Sequence, residues 1–485
     1  MLRSGKEHLE HLRDGRVVFI GNERVADVTT HPAFHNAART IAAIYDLKAD
    51  PAHHETLSFA EDGERYSTHF LQARTREDLR RRTRAHRMIA DLTYGLFGRS
   101  PDHFASFVTG LATDPSVFAA GHRDYGANLV DYYRHMRRHD NFAAYAVLPP
   151  QASRDPGFYQ RQNLPVPSLE VVREEDDGVV VSGMKMLATG AVFADEIWIG
   201  NIQPLAPNQM RQAITGVIPC NAAGLTLWSR QSFRPVNEFD SPLAWRFDES
   251  DSMVMCDNVK IPWERVFVLD DAVLSREIYY RTPGHCYGNH QSNVRYHAKL
   301  RLIVGLANRV AQSTGTDQIP AVRELLGRLA ALEATLGGMI DGQIEACESW
   351  PAGFACFNRR YMYAALNWCV ENYAPLIDIL RELSGGGVFQ MPASVTVMDD
   401  PQLKQLFERY WQTPQMGALD RMKLFKLVWD IVGSEFAGRH LQYEKFYAGA
   451  LFTVRAHNFR EAPWQEFDDV VGGLLARYGP DGASS

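Results

Sequence analysis

No uninterrupted apolar stretch in this 485-residue sequence approaches the roughly 20 residues that a membrane-crossing helix needs, so the pattern excludes a helical membrane protein. The N-terminal segment MLRSGKEHLEHLRDGR is polar throughout. It lacks the apolar run of a secretory signal, and the cytoplasm is the expected compartment. Cysteine is scarce: six residues, Cys220, Cys256, Cys286, Cys347, Cys356 and Cys369, with no CxxC pair. That spacing gives neither a disulfide frame nor a zinc site and leaves free, mostly buried thiols as the expectation. A surplus of positive charge is missing too, since 51 Lys and Arg face 58 Asp and Glu for a net charge of −7. Nucleic acid and anionic membrane therefore have no electrostatic claim as partners. Also absent are GxxxxGK[ST], HExxH and GxSxG. The glycine cluster Gly385–Gly387 follows a helical pattern instead of a strand, so no dinucleotide fingerprint is read and no bound nicotinamide is expected.

What is present falls into three regions by periodicity. Residues 1–147 read as a mostly helical N-terminal domain, with apolar residues returning at three- and four-residue steps. The stretch Arg84–Tyr94 is one such helix with Gly98 as its stop, and Ser100-Pro101-Asp102 reads as the start of the next. Residues 148–270 change to short apolar runs. Ser168–Arg173 and Val179–Lys185 flank Asp177-Gly178, a hairpin signal. Several such strands without intervening helices suggest an antiparallel β-barrel or sandwich in place of a Rossmann sheet. Residues 271–485 return to long helices. Val294, Ala298, Leu302, Leu306 and Val310 form one stripe, with Arg295 and Lys299 off it, and Leu424, Leu427, Val428, Ile431 and Val432 form another. Such faces require packing as a C-terminal α-helical bundle. The whole is an α+β chain ordered helical domain, barrel, bundle.

The chemistry-bearing residues gather at junctions between elements. Gly98-Arg-Ser-Pro-Asp-His103 sets the Arg99 guanidinium and the His103 imidazole one helical turn apart. An arginine so placed can hold an oxyanion by charge-assisted hydrogen bonds; the plainer reading is a capping turn with a surface arginine. His285, His290 and His297 cluster at the start of the bundle, and His290 and His297 share a helix face. No carboxylate lies at ligand spacing, so core or solvated histidines are expected and no metal site is. Gly433-Ser-Glu-Phe-Ala-Gly-Arg-His440 places two glycines and an arginine after an apolar helix, a pattern that by itself needs only a close helix contact.

Taken in order, these phrases resemble the 4-hydroxyphenylacetate 3-hydroxylase large-subunit family along nearly the whole chain. They run from Asp27-Val-Thr-Thr-His-Pro-Ala-Phe34 through Tyr94-Gly-Leu-Phe-Gly-Arg-Ser-Pro-Asp102, Ser182-Gly-Met-Lys-Met-Leu-Ala-Thr-Gly190, Arg246-Phe-Asp-Glu249 and Asp257-Asn-Val-Lys-Ile-Pro-Trp-Glu264 to Trp429–His440 and Tyr443-Glu444. The resemblance implies an acyl-CoA dehydrogenase-like fold in homotetramers, with FAD between barrel and helices. It further implies that a separate flavin reductase supplies FADH2. O2 then converts the flavin to a C4a-hydroperoxide that hydroxylates a phenolic substrate to a catechol or hydroquinone.

Residue by residue, Arg99 stands where the family binds the phenol oxygen. His103 replaces the tyrosine that closes that phrase, and Tyr145 replaces the family's substrate histidine. His290 matches the histidine that chlorophenol- and nitrophenol-oxidising relatives place near the flavin C4a. Arg154, Thr189 and Gly190 match positions lining the flavin in the barrel, and Gly433, Gly438 and Arg439 match the bundle segment that meets it. The alternatives are an acyl-CoA-dehydrogenase-like flavoenzyme, with Glu435 as candidate base, and a non-catalytic flavin-binding member of the fold. An iron–sulfur dehydratase relative is set aside, because Arg99 and His103 occupy its first cysteine-ligand region.

Overall fold

Residues 2–119 and 123–478 are described by the computed structural model. Its strands, as far as they concern the site, are β1 (Val18–Ile20), β2 (Glu23–Val25), β3 (Ser58–Glu61), β4 (Glu64–Ser67), β5 (Ala143–Ala146), β6 (Glu170–Glu175), β7 (Gly178–Thr189), β8 (Glu196–Ile199), β9 (Ile214–Pro219), β10 (Leu225–Ser229), β11 (Asp251–Pro262) and β12 (Val266–Leu269). The expected hairpin forms with its two-residue turn at Asp176-Asp177, because Glu175 pairs across to Gly178. Only glycine fits at the start of β7: a Cβ there would lie 2.3 Å from the Ile261 carbonyl oxygen on β11.

The strands make two main sheets instead of the single closed antiparallel ladder of a barrel. One runs β2-β1-β10-β11-β7-β6 and the other β12-β9-β8-β5, while β3 and β4 form a separate hairpin. Two of the pairings are parallel, β1 with β10 and β5 with β8. Both bring in strands from the region read as helical, so residues 18–25 and 143–146 complete sheets whose other strands lie beyond residue 169. Val179, Val180 and Val181 are all buried; a continuous apolar run on β7 is what a strand covered on both faces requires.

Around the sheets pack the helices Arg76–Leu92, Pro101–Leu111, Gly284–Thr314, Pro320–Glu345, Arg359–Ser384, Ala418–Val432 and Glu435–Phe446. Among the described residues no helix is long and apolar enough to cross a membrane. All six cysteines are free thiols. The stripe predicted on the Gly284–Thr314 helix is buried at Val294, Ala298, Leu306 and Val310, but Arg295 and Lys299 are buried as well, at 2 % and 1 % exposure. Both point at Glu444: Arg295 Nη2 donates to Oε2 at 3.0 Å, and Lys299 Nζ to Oε1 at 2.5 Å.

The Arg76–Leu92 helix starts on a Thr75/Asp78 capping box and ends six residues before Gly98. Tyr94 and Gly95 both take left-handed φ, +51° and +65°, and a Cβ on Gly95 would lie 2.1 Å from the Arg295 carbonyl oxygen. Gly95→Ala combines left-handed strain with a backbone clash. It should lower the urea midpoint by the equivalent of about 2–4 kcal/mol, and an unchanged midpoint would show that the helices need not approach this closely.

Candidate active site

The loop that carries Arg99 is fixed from below by a carboxylate. Glu249, 1 % exposed, accepts the backbone N–H groups of Gly98 and Arg99 on Oε2 at 2.8 and 3.2 Å. Its other oxygen accepts Arg439 Nη1 at 2.6 Å. Arg439 then forks onto Asp251 with Nε and Nη2 at 3.0 and 2.7 Å. Asp251 also accepts Arg230 Nε at 2.9 Å and the Thr189 hydroxyl at 2.7 Å. Burial by itself raises the Asp251 pKa, but the charges of Arg439 and then Arg230 outweigh it and hold the carboxyl well below its ordinary value. One arginine of the bundle thereby ties the Arg99 loop to the end of β7. Gly190, next after β7, has φ +74° and lies so close that a Cβ would sit 3.6 Å from the Arg99 carbonyl oxygen.

Above that base the Arg99 side chain is spread between two partners. Nη1 meets His103 Nε2 at 2.6 Å and Nη2 donates to the Tyr447 carbonyl at 3.0 Å. The Tyr447 ring lies under the guanidinium at 4.1 Å, with Arg295 over the same ring at 4.7 Å. Tyr447 closes the loop by donating its hydroxyl to the Gly98 carbonyl at 3.0 Å. Burial first, and the neighbouring Arg99 charge second, push the His103 pKa well below its usual value, so His103 is neutral. Arginine only donates; Nε2 is therefore the acceptor, and the proton of His103 sits on Nδ1.

Phe107 is the hub of the facing wall. Its ring centroid is 5.1 Å from His103, 5.4 Å from Tyr145 and 5.9 Å from His285. Backbone packing fixes it there, since a Cβ on Gly288 would fall 1.9 Å from the Phe107 ring. Tyr145 also stacks on Phe104 at 5.8 Å and meets Tyr279 edge-on at 6.0 Å. Burial, reinforced by Tyr279, raises its pKa well above the phenol range, so its hydroxyl keeps its proton.

His285 is half-buried on the same wall, with Nδ1 2.6 Å from the Tyr363 hydroxyl. Burial, then His457 and Arg460, hold it neutral. Burial raises the Tyr363 pKa, so its hydroxyl keeps its proton, and with His285 Nδ1 as the partner of that hydroxyl the proton points at Nδ1. That assignment leaves the His285 proton on Nε2.

The structure thus gathers Arg99, His103 and Tyr145 around Phe107, with Thr189 and Arg439 in the ion network beside the Arg99 loop and Gly190 against the Arg99 carbonyl. His290 is not brought there. Its Nε2 is 2.9 Å from Thr83 Oγ1 and its Nδ1 2.7 Å from Gln343 Oε1. Its ring stacks on Phe357 at 3.6 Å, and it is fully buried. Both nitrogens are thus engaged inside the protein, away from Arg99, and His285 is the bundle histidine that lies against Phe107. Gly433 serves packing, since a Cβ would lie 2.2 Å from the Trp429 ring, whereas Gly438 faces open space. Arg154 is exposed at the end of the 3-10 turn Gln151–Arg154. Glu249, Asp251 and Tyr447 escaped the sequence reading; the acidic run Asp248-Glu-Ser-Asp251 opposite Arg439 was the available signal.

Comparison with known proteins gives a consistent picture. The family described as 4-hydroxyphenylacetate 3-hydroxylase N terminal matches residues 4–268, and its C-terminal counterpart matches residues 275–476. The chain is 32 % identical over 462 residues to the pyoverdin chromophore biosynthetic protein PvcC of Pseudomonas aeruginosa, covering 94 % of this chain and 90 % of that one. It is 31 % identical over 474 residues to the 4-hydroxyphenylacetate 3-monooxygenase oxygenase component of Thermus thermophilus, covering 96 % of each. Among solved structures, it superposes with a TM-score of 0.91 at 29 % identity, over 98 % of both chains, on an oxygenase component of 4-hydroxyphenylacetate 3-monooxygenase complexed with FAD and 4-hydroxyphenylacetate.

Proposed function

Because the chain belongs to the 4-hydroxyphenylacetate 3-hydroxylase family, we propose that it is the oxygenase component of a two-component monooxygenase, one that uses FADH2 and O2 to hydroxylate a phenol. The observation that carries this reading is the Arg99–His103 contact beside the Phe107 ring: a permanent cation next to a neutral donor, among aromatic side chains. The residues present suit the cofactor as well. Arg154 presents an exposed guanidinium with no partner among the described residues, fit for a pyrophosphate, and Gly438 leaves free the space a side chain would fill. Thr189 and Arg439 meet on Asp251 beside Gly438 and Gly190. Reduced FAD, once bound, would supply the two electrons that activate O2, one oxygen atom going to the ring and the other to water.

The protein's own groups do the rest. Arg99 attracts the phenol oxygen as its anion and lowers the cost of losing the phenolic proton. His103 offers Nδ1–H and His285 offers Nε2–H. Neither has a lone pair free, because Arg99 holds Nε2 of the first and Tyr363 holds Nδ1 of the second. Both histidines are therefore donors to oxygen, and the phenolic proton leaves to solvent as the substrate binds. Phe104, Phe107 and Tyr145 clamp the ring and exclude water from the reacting face. The acyl-CoA dehydrogenase-like architecture, with a barrel-like pairing of the two sheets around the flavin, belongs to the same proposal. So do a separate reductase and a homotetramer, which is supported by large apolar side chains left exposed: Phe389 and Phe452 at 77 %, and Val470 at 74 %. Free thiols throughout suit the reducing cytoplasm.

The decisive experiment mixes anaerobic protein and FADH2 with 18O2-equilibrated buffer containing a panel of simple phenols. Catechol or hydroquinone carrying one 18O atom is expected; hydrogen peroxide alone across the panel defeats the reading in favour of a dehydrogenase-like or non-catalytic flavoprotein. Two histidine variants separate the roles assigned above. His285→Ala should cut product formed per FADH2 by about tenfold or more with little change in stability. His290→Ala orphans Thr83 and Gln343, so it should cost about 1–3 kcal/mol of stability and leave the product yield intact. A raised peroxide yield in His290→Ala would return that residue to the mechanism.

A further inference from the structure

Between the helices Gly284–Thr314 and Arg359–Ser384, beside the Tyr447 that holds Arg99, lies a cavity of about 10 Å³ lined by Ser292, Asn293, Arg295, Tyr296, Val370 and Tyr447, among others. Three of these residues carry a buried polar atom with no partner inside the protein: Asn293 Oδ1, Arg295 Nε and the Tyr296 hydroxyl. The residues themselves are 0 %, 2 % and 2 % exposed. Asn293 and Tyr296 are three apart on one helix, and Ser292 and Tyr296 four apart, so their side chains share a face. A buried donor or acceptor left unmade costs about 1–3 kcal/mol, and a single water needs about 10–15 Å³ and two to four polar partners. We propose that this cavity is a specific site for one internal water molecule.

The hydrogen-bonding capacities close. Arg295 Nε–H donates to the water oxygen, because three of the other guanidinium hydrogens face the Gly95 carbonyl and Glu444 and Nε alone is left without a partner. Asn293 can only accept through Oδ1, since its Nδ2 is committed to the Met362 carbonyl at 3.2 Å. Tyr296 donates its hydroxyl hydrogen, and the Ser292 hydroxyl oxygen, 2.7 Å from Tyr447 Oη, has a lone pair for the second water hydrogen. Two donors in and two acceptors out satisfy a tetrahedral water. The water would hold the Nε edge of Arg295, the guanidinium that stacks on Tyr447 opposite Arg99, and so braces that sandwich from behind. The inference does not depend on the chemistry proposed for the cleft.

A crystal structure of the full chain at about 1.8 Å or better decides it. Expected is one spherical density peak within 3.5 Å of all three orphaned atoms, refining at full occupancy. An empty cavity, or side chains that turn to bond one another directly, would falsify the proposal. A second measurement needs no crystal. Val370→Ile places one more methyl in the cavity: filling a dry void raises the melting midpoint, while expelling a bonded water lowers it. A fall of about 1–2 °C is expected, and a rise overturns the site.

Discussion

Arg99→Ala should abolish hydroxylation while FADH2 binding survives. The substitution removes the cation at the phenol oxygen, and it frees the His103 Nε2 and the Tyr447 carbonyl that the guanidinium now holds at 2.6 and 3.0 Å. Loss of a charge-assisted contact made to a developing or bound anion is worth about 3 kcal/mol or more, so product formation should fall at least about a hundredfold. Oxygen uptake should continue, with its yield diverted to hydrogen peroxide. Arg99→Lys should rescue little, because a single ammonium cannot reach both partners and still present a donor to the cleft. The check is the ratio of product to oxygen consumed, measured beside FADH2 affinity under anaerobic conditions. Retained coupling in Arg99→Ala would remove the residue from substrate binding; lost FADH2 affinity would reassign it to the cofactor.

The largest stability effect is expected at Glu444, 2 % exposed between Arg295 and Lys299. Burial alone raises its pKa, but the charges of Arg295 and Lys299 prevail and lower it to about 2. Glu444→Gln leaves two cations desolvated with no counter-charge, and breaking a buried pair from one side costs about 3–5 kcal/mol. The urea midpoint should drop accordingly. A pH dependence follows with a definite sign. Glu444 has a folded pKa below its unfolded value of about 4.3, so its contribution is complete above that value and is lost as pH falls toward about 2. Wild-type stability should decline across that window more steeply than the Glu444→Gln variant. Parallel acid profiles for the two proteins would mean that the carboxylate is not stabilised by its neighbours.

The mixed α and β character was legible because long stretches keep one period for many residues, and the hairpin because the Asp177-Gly178 signal is local, although the turn itself falls one residue earlier, at Asp176-Asp177. What escaped was non-local. Arg295 and Lys299 read as a polar face since charge beside an apolar stripe normally meets water. Their partner lies 149 and 145 residues downstream, where no spacing rule reaches. His285 and His290 could not be told apart for a related reason. Five residues turn a helix through about 140°, so the two face opposite ways, and only the packing of Phe107 and Phe357 decides which of them meets the cleft. The short strands β1 and β2 left no signal, three residues being too few to set a period. Arg99 and His103 were readable because they sit one turn apart, whereas Glu249 and Tyr447, which position them, are 150 and 348 residues from Arg99.

That last separation sets a timetable for the nascent chain. A ribosome adding about 5–20 residues per second needs roughly 17–70 s to travel from the Arg99 codon to the Tyr447 codon. Throughout that interval the guanidinium has been made but its ring support and carbonyl partner have not. A polypeptide released before Tyr447 can carry every residue proposed to touch the phenol and still lack the support that holds the Arg99 guanidinium in place. Competence to oxygenate thus waits on the synthesis of Tyr447, a residue that need never contact the substrate.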